Sequence, residues 1–190
     1  MAELILASAS PRRRELLRLA GLDPVVRPAA VDEAPQAGEG WQDYLVRVAR
    51  DKAFAVAGAA DGLAVLAADT EVIRDGAVLG KPRDAGHAHA MLRELAGRSH
   101  TVATGVAVVG GDGMLREAVV TTRVVMGPLS EAAIAAYVAT GEPLDKAGGY
   151  GIQGPAAVFV ERIEGSWTNV VGLPVVETLQ LLRDAGVAVP

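Results

Sequence analysis

The chain has 190 residues, 51% of them hydrophobic, which is enough for one domain with a sizeable core, but only 4% are aromatic, so Ala, Val and Leu must fill that core. Basic residues number 18 against 23 acidic ones, a net charge of −5, which argues against a general nucleic-acid binder and leaves local arginine clusters to serve a small anion. The lack of cysteine excludes disulfides, thiol chemistry and zinc–thiolate sites.

Residues 3–7 read as a first strand, followed by a turn and a helix over 11–20. Ser10 suits the N-cap and Pro11 the first helical position, where its missing N–H costs nothing. Leu16, Leu17 and Ala20 give that helix an apolar stripe, and Gly21 suits its C′ position. Arg12, Arg13 and Arg14 have the wrong sign for a helix start, which favours acids by about 0.3–1 kcal/mol each. Either they form a solvated basic patch partly neutralised by Glu15, or they meet a polyanion, since phosphate favours helix N-termini and Arg supplies bidentate donors. The N-terminus does not read as a secretory signal, because its basic residues follow the apolar run and Glu3 interrupts it. No apolar run nears the roughly 20 residues of a membrane helix, so no membrane partner and a cytoplasmic location are expected.

Residues 24–27 read as a short strand and 30–40 as a polar loop carrying Asp32 and Glu33. A second helix is expected over 41–57, with Trp41, Leu45, Val48 and Lys52 on one stripe. Lys52 is thus a charge on the inward face: it snorkels to the edge of the core or reaches an anion. Residues 63–74 are strongly β, and Asp75-Gly76 turns them into a short return strand. Helices over 84–96, capped by Asp84, and over 130–140, capped by Ser130, flank a second hairpin of 101–109 and 115–126. A Gly-rich loop over 141–154, a strand over 156–163 and a helix over 174–185 complete the chain. Alternating strands and helices interrupted by two hairpins predict an α/β fold with a mixed twisted sheet flanked by helices.

Asp69 interrupts an apolar strand. Period 2 places it on one face with Ala67 and Glu71, and carboxylates two apart in a strand lie about 6.5–7 Å apart. An unpaired buried charge is costly, so Asp69 is either half of a buried ion pair with a Lys or Arg, or a Mg²⁺ ligand and water activator. Glu71 is expected to mark the solvent end of the strand. Asp32 and Glu33, in a loop, read alone as a solvated pair. Lys81 precedes Pro82, which holds its backbone extended; it suits a phosphate, or else is an ordinary surface lysine. Together Arg12, Arg13, Lys52 and Lys81 could neutralise most of a triphosphate's charge, which favours a nucleotide over a sugar phosphate. Gly149-Tyr150-Gly151-Ile152-Gln153-Gly154 spells G-x-G-x-x-G, but it lacks the preceding strand and following helix of a dinucleotide site. Its glycines are expected to permit close backbone approach to a ligand, and the Gln153 amide, donor and acceptor at once, suits a pyrimidine edge. His87, His89 and His100 show no metal-site spacing, and neither a nucleophile elbow nor a Walker phosphate loop is present.

Five strings occur in order: Ala7-Ser8-Ala9-Ser10-Pro11-Arg12-Arg13, Ala68-Asp69-Thr70, Gly80-Lys81-Pro82, Asp145-Lys146-Ala147-Gly148-Gly149-Tyr150-Gly151-Ile152-Gln153-Gly154 and Val171-Gly172-Leu173-Pro174. Together they resemble the Maf family of nucleoside triphosphate pyrophosphatases. The resemblance implies one domain over residues 1–190, with a cleft between two lobes as in inosine triphosphate pyrophosphatases, and a possible homodimer. It implies that water attacks the α-phosphorus of a nucleoside triphosphate, with Asp69 positioning or deprotonating that water. Ser8, Ser10, Arg12, Arg13, Lys52, Thr70, Lys81 and Gln153 would bind substrate. Glu33 and Asp69 would hold a divalent cation, Mg²⁺ or Mn²⁺, which needs only one or two carboxylates besides water and phosphate oxygens. Glu71 departs from the family, which usually has an apolar residue there. Ile152-Gln153-Gly154 looks like the branch acting on dTTP and UTP. The alternatives are the same chemistry on 7-methyl-GTP or inosine triphosphate, and a nucleotide-binding regulator of septum formation. The presence of the acids and phosphate cations disfavours the regulator.

Overall fold

In the computed structural model, which describes residues 4–190, the first apolar run forms β1, Leu4–Leu6, with all three side chains buried. Glu3, the expected first residue of that strand, lies outside the described residues. β1 pairs in parallel with Val25–Val26 (β2) on one side and Ala64–Arg74 (β3) on the other, with Ile5 opposite both Val25 and Val65. Burial on both faces explains why β1 and the first half of β3 read as continuous apolar runs. β3 turns back into Ala77–Val78 (β4) through Asp75 and Gly76, whose φ values of 50° and 82° are the two positive angles a type I′ turn requires. Ser99–Val109 (β5) and Leu115–Met126 (β6) follow, joined by a turn in which Gly110 N–H bonds the Met114 carbonyl at 3.0 Å. Val160–Glu164 (β7) runs antiparallel to β6. The result is the expected mixed sheet, of seven strands, in the order β2-β1-β3-β5-β6-β7 with β4 attached to β3.

Helix boundaries follow the capping chemistry. Pro11–Leu19 (α1) starts at Ser10, whose Oγ accepts the Arg13 N–H at 3.5 Å. It ends in a Schellman motif: Leu22 N–H reaches the Leu17 carbonyl and Gly21 N–H the Arg18 carbonyl, both at 2.9 Å. Trp41–Ala57 (α2) has the expected bounds and buries Leu45, Val48, Ala49, Lys52 and Ala53. Ala85–Leu95 (α3) is capped by Asp84 Oδ1, which accepts the His87 N–H at 2.7 Å, and Glu131–Val138 (α4) by Ser130 Oγ at 3.1 Å from the Ala133 nitrogen.

Three local expectations are corrected. Residues 156–163 are not one strand: Pro155–Phe159 is a 3-10 helix and β7 begins only at Val160. Pro155 has no N–H for a ladder, Ala157 N–H is taken by the Gly154 carbonyl at 3.0 Å, and pairing with β6 starts where Met126 meets Val160. Second, Trp167–Val171 (α5) was not expected; it is nucleated by Ser166, whose Oγ accepts the Asn169 N–H at 3.2 Å. Third, Glu71 does not mark the end of its strand, because Val72, Ile73 and Arg74 continue β3 and are buried. The last helix, α6, is Val175–Asp184.

The chain forms two compact units. The first joins the residues up to Thr70 with Thr104–Val120 and Gly172–Pro190; the second joins Glu71–Ala103 with Thr121–Val171. The first is packed by small side chains, Ile5, Ala7, Ala49, Ala53, Val65, Ala67 and Ala107 among them, which is how a chain so poor in aromatics closes a core. The second gathers Leu92, Leu95, Val124, Met126 and Ile134 with Tyr137, Tyr150 and Phe159; the Tyr137 and Phe159 rings meet edge to face at 5.4 Å.

His100 is buried in the second core, its Nε2 2.7 Å from the Tyr150 hydroxyl. Burial first, and then the charge of Arg74, push its pKa down to about 4. The folded state therefore binds the neutral imidazole. Its contribution to stability is complete above the unfolded value near 6.5 and is lost as pH falls toward 4. Urea unfolding at pH 7 and pH 4 should show that His100→Gln loses less stability over that interval than the parent, by about 3 kcal/mol. Equal losses in the two proteins would contradict this account of His100.

Candidate active site

The turn after β1 and the start of α1 supply the first part of the site. Ser8 Oγ accepts the Ser10 N–H at 3.2 Å, and Ser10 caps the helix, so the two serines set the path of the chain there. Arg13 then reaches back across three segments. Its Nε donates to the Gly172 carbonyl at 2.8 Å, Nη1 to Ser8 Oγ at 3.1 Å and Nη2 to Thr70 Oγ1 at 3.1 Å. Thr70 Oγ1 lies 2.9 Å from Thr104 Oγ1 and 3.2 Å from the Gly172 carbonyl. Gly172 has φ 130°, a conformation open in practice only to glycine, and this aims its carbonyl at Arg13. Three of the five Arg13 N–H groups are thus engaged by protein oxygens. Ser8, Thr70 and Arg13, expected on substrate, form a scaffold with one another, and Thr104 and Gly172 complete it. The sequence signal for Thr104 was a hydroxyl within the apolar run of β5; for Gly172 it was the Val171-Gly172-Leu173-Pro174 string.

The second part is a cation between two acids. Lys52 projects inward from α2 and is only 8% exposed, while Asp69, in β3, is 7% exposed. Lys52 Nζ is 2.8 Å from Asp69 Oδ1 and 2.9 Å from Glu33 Oε1. Asp69 Oδ2 is buried and accepts no hydrogen bond among the described residues. Lys52 therefore reaches anions rather than snorkelling to the edge of the core, and Asp69 is half of a buried ion pair whose second oxygen has no hydrogen-bond partner among the described residues. Arg13 feels the same acids: burial lowers its pKa, the Asp69 charge opposes that, Arg12 lowers it again and Glu33 raises it.

The loop bearing Glu33 is held by contacts that were not foreseen. Asp32 Oδ1 accepts the Ala34 N–H at 2.9 Å, so this acid builds a turn while its neighbour faces Lys52. Arg47, from α2, clasps Glu39 with two bonds of 2.7 and 2.9 Å and donates to the Ala34 carbonyl at 3.0 Å. The donor set fits Mg²⁺ or Mn²⁺: two carboxylates, one with an unsatisfied buried oxygen and one half-exposed, leave room for water and phosphate ligands. No group of three or more His, Cys, Asp or Glu that could cage a metal occurs among the described residues.

In the second unit Gly148 N–H donates to the Gly80 carbonyl at 2.9 Å, which fastens the Gly80-Lys81-Pro82 string to the Gly-rich segment. Lys81 is exposed. Gln153 is exposed on a turn of residues 151–154 closed by the Gly154 N–H on the Gly151 carbonyl at 3.2 Å. On the side where a Cβ would project, the glycines of that turn face the protein's own side chains. A Cβ on Gly151 would lie 2.5 Å from Lys146 Cε, and one on Gly154 would lie 2.7 Å from Glu142 Cδ.

Residues 3–185 match the family model described as Maf-like protein. The chain belongs to the Maf family. Among similar proteins, a dTTP/UTP pyrophosphatase of Anaeromyxobacter dehalogenans is 54% identical over 98% of this chain and 96% of its own. One of Methylobacillus flagellatus is 50% identical over 100% of this chain and 96% of its own. A solved nucleoside-triphosphatase, dITP/XTP pyrophosphatase, from Mycobacterium abscessus is 18% identical over 95% of this chain and 96% of that one, with a TM-score of 0.46. The expected site residues fall in two sets. Ser8, Ser10, Arg12, Arg13, Glu33, Lys52, Asp69 and Thr70 lie in the first unit, and Lys81 and Gln153 lie in the second.

The Lys52–Asp69 pair generates a prediction about stability. Lys52→Met strands Asp69 as an uncompensated buried charge and should cost roughly 3–5 kcal/mol in urea unfolding. Adding Asp69→Leu should recover most of that loss, because an apolar pair of similar volume needs no desolvated charge. Additive losses in the double variant would show that the two side chains do not depend on each other.

Proposed function

We propose that this Maf protein hydrolyses dTTP and UTP, and related modified pyrimidine nucleotides, at the α–β phosphoanhydride to give the nucleoside monophosphate and pyrophosphate. The observation that carries the chemistry is Asp69 itself: one carboxylate oxygen is fixed by Lys52 and the other is buried without a hydrogen-bond partner. The substrate is the one named for relatives at 50–54% identity over nearly the whole chain.

In this reading Asp69 and Glu33 would hold a divalent cation, which would supply charge neutralisation at the phosphates and a lowered pKa for the attacking water. Asp69 positions that water and takes its proton at Oδ2, as the water oxygen forms its bond to the α-phosphorus and the bridging oxygen leaves with pyrophosphate. Lys52 orients Asp69 and balances its charge; two of its N–H groups face carboxylates, and the proposal gives the third to a phosphate oxygen. Arg12 and Lys81 neutralise phosphate charge. Arg13 acts beside them chiefly by holding Ser8, Thr70 and Gly172 in place. The Gln153 amide pairs with the donor–acceptor edge of uracil or thymine, and a base with another pattern leaves that amide unpaired.

Pyrophosphate release from dTTP, UTP, dCTP, GTP and 7-methyl-GTP, with Mg²⁺ or Mn²⁺, tests this reading. dTTP and UTP should be turned over fastest, and Asp69→Asn should lower their rates at least about 100-fold while the protein stays folded. Gln153→Glu should reduce dTTP and UTP turnover more than turnover of the rest. Parent-like rates in Asp69→Asn remove Asp69 from the chemistry, and a preference for 7-methyl-GTP overturns the substrate.

A further inference from the structure

The turn that carries Gln153 is shaped by side chains, not by backbone strain. Gly154 has φ −105°, an angle any residue adopts, yet a Cβ there would run into the Glu142 carboxylate. At Gly151 a Cβ would meet the Lys146 stem at 2.5 and 2.7 Å and Glu142 Oε1 at 3.2 Å. Both glycines of the turn lie against Glu142, and Gly151 also against Lys146; the far ends of these side chains would have to shift to admit a Cβ. Those neighbours are themselves anchored. Lys146 Nζ donates to the Glu142 carbonyl at 2.9 Å and to Asp145 Oδ1 at 2.7 Å, and lies 3.7 Å from Glu142 Oε1. The Gly151 N–H donates to the Tyr137 hydroxyl at 3.2 Å, and burial first, then the Glu142 charge, raise the pKa of that hydroxyl. Glu142 Oε2 is buried with no hydrogen-bond partner among the described residues. A carboxylate kept there at a desolvation cost is a poor choice for stability alone.

We infer that Glu142, braced by Lys146, is a positioning residue for base selection: its carboxylate props the turn of residues 151–154 and so fixes where the Gln153 amide is presented. The inference rests on the reading of Gln153 as the group that reads the base. Glu142 touches no reacting atom in it. Its effect is on discrimination, because an amide displaced by a fraction of an ångström loses the bonds that tell uracil and thymine from cytosine.

The test is the ratio of kcat/KM for dTTP to that for dCTP, in folded variants checked by circular dichroism. Glu142→Asp, which withdraws the carboxylate from Gly154 without a clash, should lower the ratio roughly tenfold, with dCTP turnover little changed. Glu142→Gln, of the same shape, should keep the ratio near that of the parent. Gly154→Ala should lower it as Glu142→Asp does, and Glu142→Ala with Gly154→Ala should regain part of it, since the new methyl fills the vacated space. A ratio unmoved by Glu142→Asp, or equal losses on both nucleotides, overturns the inference. Gln153→Glu, measured alongside, separates the two levels. If it alone changes the ratio, the Glu142 inference fails and the base assignment stands. If it does not, the base assignment fails and takes the inference with it.

Discussion

The Lys52 ammonium between Asp69 and Glu33 is the constraint on which the first unit depends. Lys52 and Asp69 are buried, and either charge alone there would cost several kcal/mol, so each depends on the other, while Glu33 meets Lys52 from the solvent side. The pair also locks geometry. A one-residue slip of β3 would send Asp69 to the opposite face of the sheet, and a one-residue rotation of α2 would carry Lys52 off the inward stripe. The ionic contact therefore specifies both the register of a strand and the rotation of a helix. An apolar pair would give the same packing with less desolvation, so its retention makes sense at a place where a carboxylate oxygen must be oriented and left unsatisfied.

A division of labour among like residues follows. Of adjacent arginines at the start of α1, Arg13 turns inward to brace Ser8, Thr70 and Gly172. Arg14 and Arg18 are partly balanced by Asp23, at 3.8 and 2.9 Å. Adjacent acids divide likewise, with Asp32 forming a turn and Glu33 facing Lys52. Neighbours in sequence take different roles because successive side chains in a turn or helix start point in different directions.

This division also marks how far the sequence could be read. Local signals were legible: the N-caps Ser10, Asp84 and Ser130, the Asp75-Gly76 turn, and the stripe that placed Lys52 inside. For Asp69 the sequence offered two readings, an ion pair or a Mg²⁺ ligand or water activator, and the ion pair with Lys52 is the one observed, through Oδ1. What stayed hidden depends on contacts distant in sequence or on short irregular segments. Nothing local reveals that Arg13 reaches Gly172, 159 residues away. The strand expected over 156–163 failed because the apolar pattern of Ala156, Ala157 and Val158 also fits a 3-10 turn started by Pro155. Nothing local in the G-x-G-x-x-G string reveals that Gly151 and Gly154 lie against Lys146 and Glu142, which stand four residues apart and just upstream.

The central claim is that water, organised by Asp69, attacks the α-phosphorus of a pyrimidine nucleoside triphosphate. Turnover of dTTP in heavy-oxygen water, with both products analysed by mass spectrometry, tests it most directly. The account predicts one heavy oxygen in the thymidine monophosphate and none in the pyrophosphate. Label in the pyrophosphate would place the attack on the β-phosphorus and contradict it.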